Sequence, residues 1–236
     1  MNNSLSLIKF AEEMISDLSD KTKSEKPLPP VAVNALSRGI EKAFVLVKQV
    51  QDMQNIRSGK AKLKREECSL NDLILETIEA MGMMTQAKKI QIKFTWDEPR
   101  ALVQTNPGIL KINILENIIT NAIKFSYVGG EIRIHLLRLQ GFYRITIRDF
   151  GVGMKTPDHL SVDGTTRVQS TLGTQGEIGA GLGMIIMKYF SDFIAIEVKS
   201  RSWLEAKDGE PTGTEFSIEI PIVPASSQPV SLDSRI

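Results

Sequence analysis

At 236 residues, 42% hydrophobic and 24% charged, the chain is long enough to bury a real core and to carry one domain plus an appendage. Lys+Arg 29 against Asp+Glu 28 leaves a net charge of +1, which excludes a global field drawing it to nucleic acid or an acidic membrane surface, so recognition has to be local. The single cysteine, Cys68, excludes an internal disulfide and favours a reducing, cytoplasmic setting, and no stretch approaches the roughly 20 apolar residues of a membrane span.

In residues 4–20, Leu7, Ala11, Met14 and Leu18 recur at helical spacing, with Ile8 and Ile15 widening the stripe. The run KTKSEKPLPP at 21–30 breaks that helix. A second helix follows, with Leu36, Ile40, Ala43, Val47 and Val50 on one face, and it runs to about Ile56 before Ser58 and Gly59. The pair reads as an antiparallel hairpin over residues 1–60. Such a hairpin cannot cover its own stripes, so pairing of two copies through residues 4–56 into a four-helix bundle is expected; packing on the rest of the same chain is the alternative.

From residue 61 to 223 helix and strand alternate. Ser69 is placed as an N-cap for a helix bearing Leu70, Leu73, Ile74, Ile78 and Met81. Strands are expected at 90–96 and 101–105, and Pro107 opens a helix running to about Phe125. EIRIHLLRL at 131–139 and FYRITIRD at 142–149 read as a hairpin turning at Gln140 and Gly141. A polar loop over 150–180, a helix over 181–193 and strands at 194–200 and 214–220 follow. The class is α+β, a mixed sheet with helices on one face. Residues 224–236, polar and Ser-rich, read as a flexible tail.

Four motifs carry chemistry. Asn113, Asn117 and Asn121 are spaced by four on the helix after Pro107, with Lys124 three further on. An amide oxygen suits a hydrated Mg²⁺ and an ammonium neutralises phosphate; alone, the same spacing equally describes a solvated polar face. Asp149-Phe150-Gly151-Val152-Gly153-Met154 ends a strand, where the carboxylate can accept a hydrogen bond from an exocyclic amine and the glycines admit a flat ring; alone, Asp-x-Gly is a turn. The run 176–184, with Gly179, Gly181, Leu182 and Gly183, feeds a helix N-terminus, which suits a phosphate cradle; alone, it equally reads as a floppy loop. No Gly-Lys-Ser/Thr follows it, so it is not a P-loop, and no βαβ unit surrounds it, which argues against a dinucleotide fold. Gly213-Thr214-Glu215-Phe216 would set a hydroxyl beside the same ring.

In order, these motifs resemble the Bergerat-fold ATPase domain shared by sensor histidine kinases, DNA gyrase, Hsp90 and MutL, and the histidine kinases match best. ENIITNAIKFS at 116–126 is similar to their N box, DFGVGM to the G1 box, GEIGAGLGM to the G2 box and GTEFSIEIP to the closing strand. The resemblance covers about 61–221 and implies an α/β sandwich with a mixed sheet that uses ATP and Mg²⁺. By it, Asn121 binds Mg²⁺ with support from Asn117, Lys124 contacts phosphate, Asp149 recognises adenine N6, and Gly179, Gly181 and Gly183 line the triphosphate, with Gly151, Gly153, Met154, Leu182 and Thr214 completing the site. Asn117 replaces the water-activating Glu of the gyrase and Hsp90 branch, which fits phosphoryl transfer to a protein side chain better than hydrolysis.

The hairpin is similar to the dimerisation and phosphoacceptor hairpin of the same kinases, with QDMQNIRSGKAKLKREECSLNDLI at 51–74 as its exit. Its acceptor histidine is not in this sequence, and the expected imidazole falls before Met1. His135 reads as a strand residue and His159 as a loop residue. The loop lacks the Phe-rich F box, having LSVDGTTRVQS at 160–170, and SDFIAIEV lacks the usual Gly-Gly. The resemblance implies an ATP-dependent protein histidine kinase core of a two-component system, with a response-regulator receiver as downstream partner. An ATP-sensing pseudokinase and an anti-sigma-factor-like serine kinase are the alternatives.

Overall fold

The computed structural model describes residues 47, 51, 53–56, 58, 64–154, 173–174, 183–204 and 211–222. The chain separates into two units, Met1–Leu63 with Asp163–Thr166, and Lys64–Val162 with Arg167–Ile236. In the first, the described residues 47, 51 and 53–56 are helical; the rest of the expected hairpin, the tail after 222 and most of the loop after 154 lie outside the described residues.

The second unit is built from β1 (Glu66–Ser69), α1 (Leu70–Ala80), α2 (Gly82–Lys88), β2 (Gln91–Trp96) and β3 (Leu102–Thr105). A π-helical segment (Ile109–Leu115) then leads into α3 (Glu116–Phe125), followed by β4 (Glu131–Leu139), β5 (Phe142–Asp149), α4 (Gly183–Phe193), β6 (Glu197–Trp203) and β7 (Gly213–Pro221). Five strands form one sheet in the order β2-β4-β5-β7-β6, with β2 parallel to β4 and the other pairs antiparallel, while β1 and β3 pair separately.

Alternation along the strands gives the sheet two unlike faces. In register, Ile134, Ile147 and Phe216 form one apolar row and Leu136, Ile145 and Ile218 the next, all buried. Onto this face pack α3, against β5 and β7, and α4, against β6 and the π-helical segment. Leu110, Ile114, Leu115, Ile118 and Ile119 are fully buried. The opposite face carries Arg133, Arg144, Arg148, Glu215, Glu219 and Lys199, including a forked Arg144–Glu219 pair. His135 lies on that face with Thr95 Oγ1 at 2.9 Å from Nδ1, a strand position as its flanking residues suggest.

Ser69 caps α1 as expected, its hydroxyl accepting from Asp72 N at 3.3 Å. Asn106 Oδ1 accepts from Ile109 N at 2.9 Å, which sets Pro107 at the first helical position. Three features differ from expectation. Residues 66–69 form a strand paired with β3, although EECS has no alternating apolar face and only the pairing reveals it. A short helix, α2, occupies 82–88 and closes on Lys89 in the left-handed region, φ 55°. Finally, β6 begins at Glu197 rather than 194: Ile194–Ile196 turn off the end of α4, and Ala195 takes φ 59°. That is the conformation a glycine adopts freely, and the sequence has alanine there. Cys68 is half-buried, and burial, then Glu66 and Glu67, push its thiol up to about 11, so it packs rather than reacts.

Candidate functional site

The expected site residues that can be placed gather along α3 and the strand ends beside it. Asp149 ends β5 on the helix-covered face and is 3% exposed. Its Oδ1 accepts from Gly151 N at 3.0 Å and from Thr214 N at 3.2 Å. Among the described residues Oδ2 takes no hydrogen bond, so the carboxylate has one acceptor oxygen in reserve. Burial pushes its pKa up to about 6, against the pull of the Gly151 and Thr214 N–H groups and the Arg148 charge.

The glycines around Asp149 are required by close backbone approach. A Cβ on Gly151 would lie 2.0 Å from the Phe125 carbonyl oxygen and 2.9 Å from Ser126 Cα, so the turn after β5 presses on the C-terminus of α3. Val152 N donates to the same Phe125 oxygen at 3.2 Å. Gly213, at φ 130°, would place a Cβ 2.1 Å from the Asp149 carbonyl oxygen; no side chain fits where β7 starts across the end of β5. Gly153 lies against Trp203 O in the same way, at 2.5 Å.

Ser202 on β6 was not singled out by the sequence, yet it joins three expected positions. Its Oγ accepts from Met154 N at 2.6 Å, donates to Gly213 O at 3.1 Å and lies 3.2 Å from Thr214 Oγ1. Thr214, 4% exposed, therefore meets the site through its backbone N–H on Asp149, with its hydroxyl turned to Ser202. A serine on a strand gives no local signal of such a role; only the register Ser202↔Thr214 reveals it.

Along α3, Asn117 and Asn121 are half-buried, whereas Asn113 is only 8% exposed. The three amides do not share one open face because Asn113 lies in the π-helical segment, where Glu116 N reaches back five residues to Lys111 O. Asn117 Nδ2 donates to Asn113 O at 2.8 Å, and its Oδ1 would be 3.0 Å from a Cβ on Gly183. The start of α3 thus meets the start of α4, and its end meets the turn after Asp149. Asn121's amide takes no hydrogen bond among the described residues. Lys124 sets its ammonium 4.7 Å from the Phe125 ring centre, and its carbonyl accepts from buried Lys88 Nζ at 2.6 Å and from Thr174 N at 3.2 Å. Lys88 and Thr174 were also missed, being one of two adjacent lysines and a loop threonine in sequence. Gly179, Gly181 and Leu182 lie outside the described residues.

Residues 109–224, which span every element from the π-helical segment through β7, match the family described as histidine kinase-, DNA gyrase B-, and HSP90-like ATPase. They form a domain of that ATPase family. The histidine protein kinase DivJ of Caulobacter vibrioides is 24% identical over 178 residues, covering 75% of this chain and 28% of DivJ. The autoinducer 2 sensor kinase/phosphatase LuxQ of Vibrio harveyi is 28% identical over 200 residues, covering 80% of this chain and 22% of LuxQ. The chain thus spans about a quarter of these relatives. Among solved structures, the histidine kinase ThkA in complex with response regulator protein TrrA superposes with TM-score 0.66 at 18% identity, over 94% of this chain and 62% of that one. Acinetobacter baumannii histidine kinase AdeS gives 0.63 at 15% identity, over 92% and 95%. The ATPase domain therefore has the fold of histidine kinase catalytic domains, in agreement with the α/β sandwich that the motif order implied. Among the described residues no helix is long and apolar enough to cross a membrane.

Proposed function

We propose that this ATPase domain is the catalytic part of a cytoplasmic two-component histidine kinase that transfers the γ-phosphoryl group of ATP to a histidine. The supporting observation is Asp149: a buried carboxylate whose Oδ1 is anchored by two backbone N–H groups while Oδ2 is left to accept the adenine N6 amine. In this reading Gly151 and Gly153 let the backbone pass the ring, Asn121 and Lys124 serve the phosphates, and Gly179, Gly181, Leu182 and Gly183 are their cradle.

Among the described residues no three of His, Cys, Asp and Glu cluster to hold a metal. A neutral amide on Asn121, with Asn117 beside it, suits Mg²⁺ held chiefly by phosphate oxygens and water. Bound there, the ion would supply charge neutralisation at the triphosphate. The chain's own part is positioning and electrostatic stabilisation, as in phosphoryl transfer generally. The bond from γ-phosphorus to the β–γ bridging oxygen breaks, a phosphorus–nitrogen bond forms on the imidazole, and ADP leaves. That imidazole would belong to a histidine this sequence does not contain, two copies of the chain would pair through residues 4–56, and a receiver-domain aspartate would then take the phosphoryl group.

Calorimetry of Mg²⁺·ATP binding to the purified chain, with Asp149→Asn in parallel, tests the reading. Binding in the wild type that is lost in the variant supports the adenine assignment; equal affinity in both sinks it.

A further inference from the structure

Arg148 precedes Asp149 in the chain and projects to the other face of the sheet, yet it is only 7% exposed. Its Nη1 donates to the Asp149 carbonyl at 2.8 Å and its Nη2 to the Pro211 carbonyl at 2.8 Å. The guanidinium lies between two rings, 4.1 Å from the Trp203 centre and 5.0 Å from the Phe150 centre. Arg133, opposite Arg148 on β4, stacks on Phe150 as well, at 4.7 Å. One planar fork thus binds the end of β5, the approach to β7 and the end of β6 around the point where Gly213 crosses Asp149. Burying a cation is costly unless every donor is used, so its placement here calls for an account beyond filling space.

We propose that Arg148 is a positioning residue for nucleotide recognition: by gripping the Asp149 and Pro211 carbonyls between Phe150 and Trp203, it holds the Thr214 N–H on the Asp149 carboxylate and so fixes the oxygen that receives adenine. The inference rests on the reading of Asp149 as the adenine acceptor. Neither the motif order nor the family match assigns a role to this arginine. The charged groups in register around it are Arg133 on β4, Glu215 on β7 and Arg201 on β6, all on the face away from Asp149. Among them it is the Arg148 charge that holds the Asp149 pKa down.

Two variants of the full chain separate grip from charge. Arg148→Lys keeps the cation but cannot fork to both carbonyls or fill the slot between the rings. Arg148→Met loses both. In the nucleotide-free protein, amide exchange by NMR is expected to speed up at Thr214 and Gly151 in both variants, with Ile118 and Ile119 on α3 still protected. The Asp149 carboxyl, assigned with Asp149→Asn, is expected to titrate at the wild-type midpoint in Arg148→Lys and at a higher one in Arg148→Met. ATP affinity at pH 8 should fall roughly tenfold in either, the scale of a lost hydrogen bond to a charged group. Exchange that rises at Thr214 and Ile119 alike, or a Thr214 amide and Asp149 midpoint unmoved in both variants, overturns the inference and leaves Arg148 a stability residue. Should Arg148→Met fail to fold, exchange in Arg148→Lys decides. If Asp149→Asn binds ATP normally, the adenine reading falls, while the exchange and titration still judge the grip.

Discussion

Replacing Asp149 by Asn should abolish ATP binding and at the same time stabilise the nucleotide-free domain. The carboxylate is buried, and its pKa is pushed up from the ordinary 3.8 to about 6, chiefly by desolvation. A raised acid pKa means that the ionised form is disfavoured in the fold. The stability this group allows is therefore fully present below pH 3.8 and is lost as pH rises through about 6. A rise of roughly two pKa units at 1.36 kcal/mol each sets a ceiling of about 3 kcal/mol on that loss. Asparagine keeps an oxygen for the Gly151 and Thr214 N–H groups and carries no charge, so it should recover about 1–3 kcal/mol at pH 8 and almost nothing near pH 3.5. Urea unfolding followed by tryptophan fluorescence reads this domain specifically, because both tryptophans, Trp96 and Trp203, lie on its strands. A stability difference between variant and wild type that is the same at pH 4 and pH 8 would refute the burial argument. A variant less stable at pH 8 would refute it as well.

Gly151→Ala would place a methyl 2.0 Å from the Phe125 oxygen, so the backbone must move by over 1 Å; about 1–3 kcal/mol of stability and measurable ATP binding should be lost. Gly141→Ala, at φ 86° with nothing within 4 Å, is the control, expected to cost about 1 kcal/mol on denaturation and to leave binding intact. Ser202→Ala removes the acceptor of Met154 N–H, and hydrogen exchange at that amide should accelerate while ATP affinity weakens several-fold. Ala195→Gly relieves a left-handed alanine and should raise the unfolding free energy by about 0.5–1 kcal/mol, checked by thermal melts; a loss would show that the turn is not strained.

The core of the domain was legible because period and burial agree in it. The β4–β5 hairpin matches its expected bounds at both ends, since Ile132, Ile134, Leu136 and Ile145, Ile147 alternate cleanly and Gly141 turns at φ 86°. Where the structure is decided by a partner strand or by tertiary approach, the sequence is silent. β1 has no apolar alternation and exists through its pairing with β3. The π-helical turns over 109–115 look helical in sequence, and only the offset of Asn113 from Asn117 shows the wider turn. The site divides in the same way. Asp149 and its glycines stand out because backbone approach demands glycine, whereas Ser202 and Arg148 act through register with β7 and through neighbouring rings, which linear spacing does not encode.

The domain concentrates unfavourable terms at one place: a desolvated carboxylate, a buried arginine and three glycines, Gly151, Gly153 and Gly213, against which another part of the chain is packed too closely for a Cβ. None improves the stability of an empty fold. Together they leave one carboxylate oxygen without a hydrogen bond among the described residues. An adenine amine placed there would supply the missing donor and favour the ionised form, lowering the Asp149 pKa on binding. Binding should therefore release a proton near pH 6 and take up or release almost none at pH 8. Calorimetry in two buffers of different ionisation enthalpy distinguishes the cases: a buffer-dependent heat at pH 6 that vanishes at pH 8 follows from this site. A heat independent of buffer at pH 6 would mean that Asp149 does not receive the base.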